Sequence, residues 1–483
     1  MTPVLPNHEV SVDPVPLVVD LDDTLLRTDS TLEALFLFVR QDPLAALMLP
    51  WRLLRGRAYL KQYLAQRALL DVKALPYRHE LLAYLKAQKQ RGRRVVLATG
   101  ADRAVAGRVA QELGVFDLVF ASDGIHNLNG ERKRARLVAE FGEKGFDYVG
   151  DSRREDAVWR SARQALLADP TPRIARRVAR TTQLAHTFDD RPVRLRTYLR
   201  ALRPHHWVKN VLVFLPLMLA HRLYEPHLLV QGLLAFVAFS LCASSVYLLN
   251  DLMDLPFDRA HPQKKDRALP SGQIRLVHAL ALAPLLLTGA LLVALALPAA
   301  FLATLSAYFV LMMIYSIRLK DVPILDGLTL ALGYASRVAA GSIVLGLAPS
   351  IWLLAFCVLL FMSLALIKRY TELLTMESVS GAEAHARGYL PNDRGIMAAQ
   401  GIASGYLAVL ILALYTNTNA MSPATGREAS FWSICLLLFY WINYMWLTAQ
   451  RGRMHHDPVA FALTDRVSQI VIAAMAVAAV YAL

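Results

Sequence analysis

From residue 208 onward the chain carries one long uncharged apolar run after another, and this constrains its fold more than any other feature. A stretch such as LLAFVAFSLCASSVYLL has no polar face to leave in water. A bilayer span needs about 20 apolar residues. In lipid every backbone N–H and C=O must be satisfied internally, so unbroken runs of this length read as membrane helices. Nine runs qualify: 208–224, 228–250, 277–297, 300–317, 324–346, 350–367, 397–417, 429–447 and 466–483, the first interrupted by Pro216. Residues 1–200 carry ordinary charge and read as a soluble domain, so the chain joins two different materials.

The loops set the orientation. Those after the second, fourth, sixth and eighth runs carry Arg259, Lys264, Lys265, Arg267, Arg275, Arg318, Lys320, Lys368, Arg369, Arg387, Arg394, Arg451, Arg453 and Arg466. The opposite loops carry Arg222 and Arg427. Positive loops stay inside, so the basic loops and the N-terminal domain are expected in the cytoplasm and the protein in a bacterial inner membrane. The first 20 residues show no basic start and no long apolar segment, which argues against a signal peptide. Cys242, Cys357 and Cys435 all fall within expected spans and suggest neither a disulfide framework nor a zinc site. A net charge of +14 on such a chain points to anionic lipid or phosphorylated substrates rather than nucleic acid. Residues 186–203 form a basic linker between residues 1–185 and 204–483, suited to a headgroup surface.

In the soluble part, PLVVDLDDTLL begins as a buried strand and stops at carboxylates, with Asp20, Asp22 and Thr24 spaced D-x-D-x-T. RRVVLATG is a second apolar strand ending at Thr99, Lys133 follows the turn NLNGER, and FDYVGDSRRED is a third strand ending at Asp151. Strands that end in functional groups, with helical segments between them, predict a parallel α/β sheet with its site at the strand C-termini. Asp20 can attack phosphorus, and Asp22 can protonate the leaving oxygen. Asp20 and Asp151 can share a Mg²⁺ ion, which favours hard oxygen ligands, while Thr99 and Lys133 hold phosphoryl oxygens. Asp156 is a candidate substrate contact. Over residues 14–185 the ordered motifs resemble the haloacid dehalogenase superfamily. That resemblance implies a Rossmann-like fold, phosphate monoester hydrolysis and, over residues 26–90, a small helical cap of the C1 type.

In the membrane part, the second run ends in NDLMDLPFDRAHPQKKDR. Asn250, Asp254 and Asp258 are four apart and share a helix face with Asp251 nearby. Clustered carboxylates beside lipid are costly. A shared Mg²⁺ and a diphosphate would relieve that cost, with Lys264 and Arg267 meeting the remaining charge. The loop YSIRLKDVPILDG offers a second set, Tyr315, Lys320 and Asp326, with Asp321 five residues before Asp326. Over residues 200–483 the two loops resemble the UbiA superfamily of intramembrane prenyltransferases, which implies an all-α nine-helix bundle with Asn250, Asp254, Asp258 and Asp326 as the Mg²⁺-diphosphate site.

Further cations exceed what one diphosphate needs. They are Lys209 beside Asn210 in LRPHHWVKN, Arg337 inside the fifth run, and Lys368 and Arg369 in IKRYTELL, with Arg387 and Tyr389 in the following loop. These segments are similar to one branch, the polyprenyl-phosphate (decaprenyl-phosphate) phosphoribosyltransferases, although Ala268 follows Arg267 where that branch often has proline. The resemblance implies 5-phosphoribosyl diphosphate as donor and a polyprenyl phosphate as acceptor. A phosphatase on the same chain would then remove the 5-phosphate, giving polyprenyl-phospho-ribose for cell-envelope glycans. Two alternatives stand beside this reading: a prenyltransferase acting on an aromatic or other acceptor with an unrelated phosphatase, and a cation-binding transporter or scaffold whose only catalytic part is soluble.

Overall fold

In the computed structural model, residues 14–189, 195–220, 222, 224–261, 264–380, 388–418, 427–454 and 457–482 are described. They fall into two compact units. One comprises Met1–Leu202 with Leu248–Leu282, and the other Arg203–Tyr247 with Ala283–Leu483. Arg387 and part of the expected linker lie outside the described residues.

The first unit is built on six parallel strands, β1 (Leu17–Val19), β2 (Val95–Asp102), β3 (Leu118–Ser122), β4 (Asp147–Gly150), β5 (Gln164–Ala168) and β6 (Gln183–Phe188), ordered β3-β2-β1-β4-β5-β6. β1, β2 and β4 are buried along their whole length, as expected for central parallel strands covered on both faces. One apolar layer gathers Val19, Leu97, Val149 and Leu166; the other gathers Val18, Val96, Tyr148 and Leu167. The alternation along each strand assigns neighbouring side chains to opposite faces.

Between β1 and β2 lies a helical insertion: α1 (Ser30–Gln41), α2 (Pro43–Ala46), α3 (Leu49–Leu54), α4 (Arg57–Arg67) and α5 (His79–Gln90). Asp29 starts α1 by accepting the Thr31 and Leu32 amides at 2.9 and 3.0 Å. Ala34, Leu37 and Phe38 of α1 pack with Leu64 of α4 in a core of their own. α5 instead buries Leu81 and Leu85 against the sheet. Thus only the front of the 26–90 segment forms a separate helical cluster.

Among the described residues, seven helices are long and apolar enough to cross a membrane: Pro226–Met253, Leu276–Ala294, Ala299–Ile317, Leu325–Val344, Ile351–Thr375, Pro391–Tyr415 and Ser430–Gln450. The pair Pro458–Thr464 and Arg466–Tyr481, bent by 84°, makes an eighth if it counts as one span. Of the nine expected runs, the first is the one with neither such a helix nor such a pair among the described residues. There, residues Pro204–Phe214 form a 3₁₀ segment and Leu215–Leu219 a short α-helix in place of one long apolar helix. Packing explains part of this. A Cβ at Gly341 would meet the Val213 carbonyl oxygen at 2.1 Å, so the 3₁₀ backbone lies directly on the helix Leu325–Val344. The proline at 216 further removes a backbone donor.

Candidate active sites

The carboxylates of the first unit meet where β1 and β4 lie side by side, outside their C-terminal ends. Asp20 follows β1 and Asp151 follows β4. This is where the strand order reverses, the usual position of a ligand crevice in an open parallel sheet. Lys133, buried on the helix Glu131–Phe141, donates to Asp20 Oδ1 at 2.9 Å, to the Tyr148 hydroxyl at 2.9 Å and to Glu155 Oε1 at 3.2 Å. Glu155 in turn accepts the Tyr148 O–H at 2.6 Å and the Asp151 N–H at 2.9 Å. Carboxylate oxygens of Asp20, Asp151 and Glu155 lie within 4.8 Å of one another, a hard donor set suited to a divalent cation.

Glu155 is the member that sequence reasoning missed. Asp156 was expected at the site, but it pairs with Arg177 at 2.7 Å, and Glu155 lines the pocket in its place. The 3₁₀ turn Arg153–Glu155 makes the difference by turning position 155 inward. The available signal was Gly150: a Cβ there would meet Glu155 Oε2 at 1.9 Å, so a glycine before Asp151 leaves room for the carboxylate. Thr99 is fully buried in β2, and its hydroxyl accepts the Ala101 amide at 3.0 Å.

The electrostatics of this cluster follow from burial. Burial, then the charge of Asp29, holds the Asp22 carboxyl well above the usual carboxylate range, although it accepts the Ser30 amide at 2.8 Å. Burial pushes Asp151 up to about 7 against the opposing pull of Arg275. Burial and Asp20 raise Glu155 in the same direction. For Lys133 burial works against the charge, but Asp20 and Glu155 together outweigh it and raise its pKa. Around these groups lies a cavity of about 420 Å³. Its walls include Asp20, Asp22 and Lys133, with Leu32 and Lys61 from α1 and α4. Arg275 also lines it, reaching Asp151 Oδ2 at 3.1 Å from the segment between two apolar helices.

The same unit contains the acids that end the helix Pro226–Met253. Asp254 sits at a break before the short helix Leu255–Ala260 (φ −96°, ψ 5°), yet the Asp254 and Asp258 amides still donate to Asn250 and Asp254 carbonyls at 2.9 and 2.8 Å. Asn250 Nδ2 donates to Asp254 Oδ2 at 3.1 Å. Asp251, Asp254 and Asp258 are buried, and each faces an arginine. Arg40 of α1 pairs with Asp254, while Arg267 pairs with Asp258 at 3.0 Å and approaches Asp251 at 3.9 Å. Lys264 lies in the turn that follows, its amide donating to the His261 carbonyl at 3.2 Å.

In the second unit, fully buried Asp326 accepts Arg369 Nε at 2.5 Å and Nη2 at 2.9 Å, and the Tyr315 hydroxyl at 2.8 Å. Arg369 also donates to Glu372 at 2.5 Å. Two residues before Asp326, Ile324 adopts φ 69°, a costly conformation for a β-branched residue; its amide donates to the Tyr389 hydroxyl at 2.7 Å. Lys320 is buried in the preceding turn, whereas Asp321 is exposed. Lys209 pairs with Asp457 at 3.2 Å, and Asp457 also caps the helix Pro458–Thr464. Lys368 is half-buried beside Arg369. Arg337, one of the surplus cations, has neutral hydrogen-bond partners among the described residues. Its Nε donates to Asn210 Oδ1 at 2.7 Å and its Nη2 to the Tyr308 hydroxyl at 3.0 Å, and the Tyr308 ring lies 4.8 Å away. The π faces and the amide satisfy the guanidinium without a carboxylate. Asn210 extends this chain to Ser240 at 3.0 Å.

Residues 210–467 match the UbiA prenyltransferase family, and residues 17–154 match haloacid dehalogenase-like hydrolases. The chain belongs to the UbiA prenyltransferase family and carries a haloacid dehalogenase-like domain ahead of it, as a multi-pass membrane protein. An uncharacterized protein of Sinorhizobium fredii, y4nM, is 33% identical over 97% of this chain and 91% of its own length. The nodulation protein NoeC of Azorhizobium caulinodans is 32% identical over 59% of this chain and 92% of its own. The decaprenyl-phosphate phosphoribosyltransferase of Mycolicibacterium smegmatis is 28% identical over 56% of this chain and 87% of its own.

Proposed function

We propose that the protein is a bifunctional enzyme of a bacterial inner membrane, with both sites facing the cytoplasm. Residues 204–483 transfer 5-phosphoribosyl from 5-phosphoribosyl diphosphate to a polyprenyl phosphate. Residues 1–185, joined through a linker at 186–203, then hydrolyse the 5-phosphate. The product is polyprenyl-phospho-ribose, a lipid-linked pentose for envelope glycans. The observation that carries this reading is the union, on one chain, of a phosphatase-type carboxylate and lysine cluster with a region similar to decaprenyl-phosphate phosphoribosyltransferases.

In the transfer step the bond between the ribosyl C1 and the diphosphate oxygen breaks as the ring carbon becomes oxocarbenium-like. An oxygen of the lipid phosphate forms the new bond to C1. That nucleophile is already anionic, so no strong general base is required. Asn250, Asp254, Asp258 and Asp326 are the candidate holders of the cation and diphosphate. Asp251, Lys264, Arg267, Tyr315 and Lys320 are assigned to the diphosphate surroundings. Lys209, Asn210, Arg337, Lys368 and Arg369 are assigned to the remaining phosphates, directly or by positioning their neighbours.

In the hydrolytic step Asp20 attacks the monoester phosphorus while Asp22, kept protonated by burial, gives its proton to the departing ribose oxygen. Asp22 then takes a proton from the water that cleaves the aspartyl phosphate. Lys133 holds Asp20 in place and offsets phosphoryl charge, and Thr99 is assigned to the phosphoryl oxygens. Mg²⁺, held by Asp20 and Asp151 with Glu155 nearby, would supply further neutralisation of those oxygens.

A prenyl diphosphate donor is the second reading, favoured by the description of the matching family. Donor labelling separates the two. The purified full chain should move label from 5-phosphoribosyl diphosphate to polyprenyl phosphate in the presence of Mg²⁺. Transfer from labelled prenyl diphosphate alone would overturn the phosphoribosyl assignment.

A further inference from the structure

The helical insertion carries a surface that none of the chemistry above uses. α2 and α3 bury none of their residues. Leu44 is 78% exposed, Trp51 65% and Leu54 84%, and Leu47, Met48 and Leu53 join them in one short stretch. From Pro43 to Arg57 the sequence contains Arg52, Arg55 and Arg57 and no acid. An apolar group of this size held in water is unfavourable, and soluble surfaces rarely keep one without an occupant.

The position of this surface within its own unit says what the occupant is. Arg40, at the end of α1, pairs with Asp254 and lies 3.8 Å over the ring of Phe257. Asp254 follows directly on Met253, the last residue of an apolar helix long enough to cross a bilayer. Two turns earlier on the same face of α1, Glu33 accepts Arg259 at 2.6 Å. The insertion is therefore docked on the end of a span. α2 begins three residues after Arg40, so the chain can carry its first residue no more than about 11 Å from the Arg40 backbone. The interfacial layer on each side of the hydrocarbon core is itself roughly 5–8 Å deep.

We propose that α2 and α3 lie in the bilayer interface, with Leu44, Leu47, Trp51 and Leu54 among the upper acyl chains and Arg52, Arg55 and Arg57 among anionic headgroups. Tryptophan at the headgroup level and basic residues beside apolar ones are the composition of an interfacial helix. The arrangement has a consequence for the hydrolytic site. Leu32 and Lys61, from the helices flanking this element, line the cavity that holds Asp20 and Asp22. The two helices that carry the membrane-lying element thus wall the pocket, and seating that element in the interface brings the pocket towards headgroup level, where a lipid-linked monoester would present its phosphate. Only this last consequence rests on the substrate reading above.

The test uses the full chain in nanodiscs of phosphatidylcholine and phosphatidylglycerol, with the native cysteines replaced and an environment-sensitive fluorophore on Leu54→Cys or, as a control, on exposed Glu143→Cys. A blue-shifted Leu54→Cys label, quenched at least threefold more by shallow spin-labelled lipid than the Glu143→Cys label, supports the proposal. Water-like emission without lipid quenching overturns it. So does a blue shift that lipid does not quench but that appears only with two copies per disc, which assigns the face to a second copy. A second readout follows Trp51→Glu, a residue outside the hydrolytic machinery. Hydrolysis of a soluble aryl phosphate should be retained while hydrolysis of the lipid-linked monoester falls at least tenfold. Equal loss on both substrates, or no loss on either, would refute coupling between docking and catalysis.

Discussion

The two groups of acids are charge-balanced in different ways. In the sheet-borne cluster, Asp20, Asp151 and Glu155 crowd within 4.8 Å of one another and share two cations, Lys133 and Arg275, and Asp151 and Glu155 are pushed upward by burial. In the membrane part the motif acids already have arginine partners: Asp254 with Arg40, Asp258 with Arg267, and Asp326 with Arg369. The contrast follows from surroundings. A carboxylate near hydrocarbon cannot be left uncompensated, so the fold supplies a guanidinium. At the mouth of an aqueous cavity, excess negative charge can remain for a cation and a phosphoryl group to relieve. Three acids on two cations leave the sheet-borne cluster with unbalanced charge, whereas each of these three motif acids of the membrane part already has a guanidinium partner.

The strongest way to break this comparison is Asp20→Asn. Hydrolysis of an aryl phosphate should fall by at least about 10³-fold, because the nucleophile is lost, while lipid transfer persists. Parallel loss of transfer would mean that the two sites are not independent. Asp22→Asn sharpens the picture through the leaving group. An alkyl phosphate, which needs a proton, should lose roughly 10²–10³-fold, and an aryl phosphate with a good leaving group less than about 10-fold. The sign of the pH effect follows from the raised Asp22: its proton persists above the ordinary carboxylate range, so alkyl ester hydrolysis declines only as pH rises through that elevated value. A decline on the same side in Asp22→Asn would assign the limb to another group.

In the membrane part the largest expected effect is on stability. Arg369→Ala leaves Asp326 buried without its bidentate partner and should destabilise the second unit by about 3–5 kcal/mol, read as a lowered unfolding temperature in detergent. A change of well under about 1 kcal/mol would show that the pair is not holding the fold. Smaller still, Asp254→Ala should reduce lipid transfer by about 10²-fold or less while aryl phosphate hydrolysis stays within a few-fold. Unchanged transfer would remove Asp254 from the diphosphate site.

Much of the sheet-borne site is legible in the sequence because its elements announce themselves locally. A short apolar strand that stops at D-x-D-x-T fixes where Asp20 lies, and VVLATG and YVGD repeat the pattern. Glu155 escapes because Glu155 and Asp156 are adjacent, and only the 3₁₀ turn decides which one faces the pocket. The membrane helices are legible from length and apolarity, but hydropathy alone does not foresee that residues 204–219 pack on Gly341 as a 3₁₀ segment and one short turn of helix. Contacts of long sequence separation stay hidden for the same reason. Nothing local marks Arg40 as the partner of Asp254, 214 residues away, or Asp457 as the partner of Lys209, 248 residues away.

The sequential use of the two sites is the central claim, and mass spectrometry of the lipid product tests it most directly. The full chain should be supplied with polyprenyl phosphate, 5-phosphoribosyl diphosphate and Mg²⁺. Wild type should accumulate polyprenyl-phospho-ribose, and Asp20→Asn should accumulate the same lipid heavier by one phosphate. If both proteins yield only the 5-phosphorylated lipid, the hydrolytic site does not act on the product of the transferase.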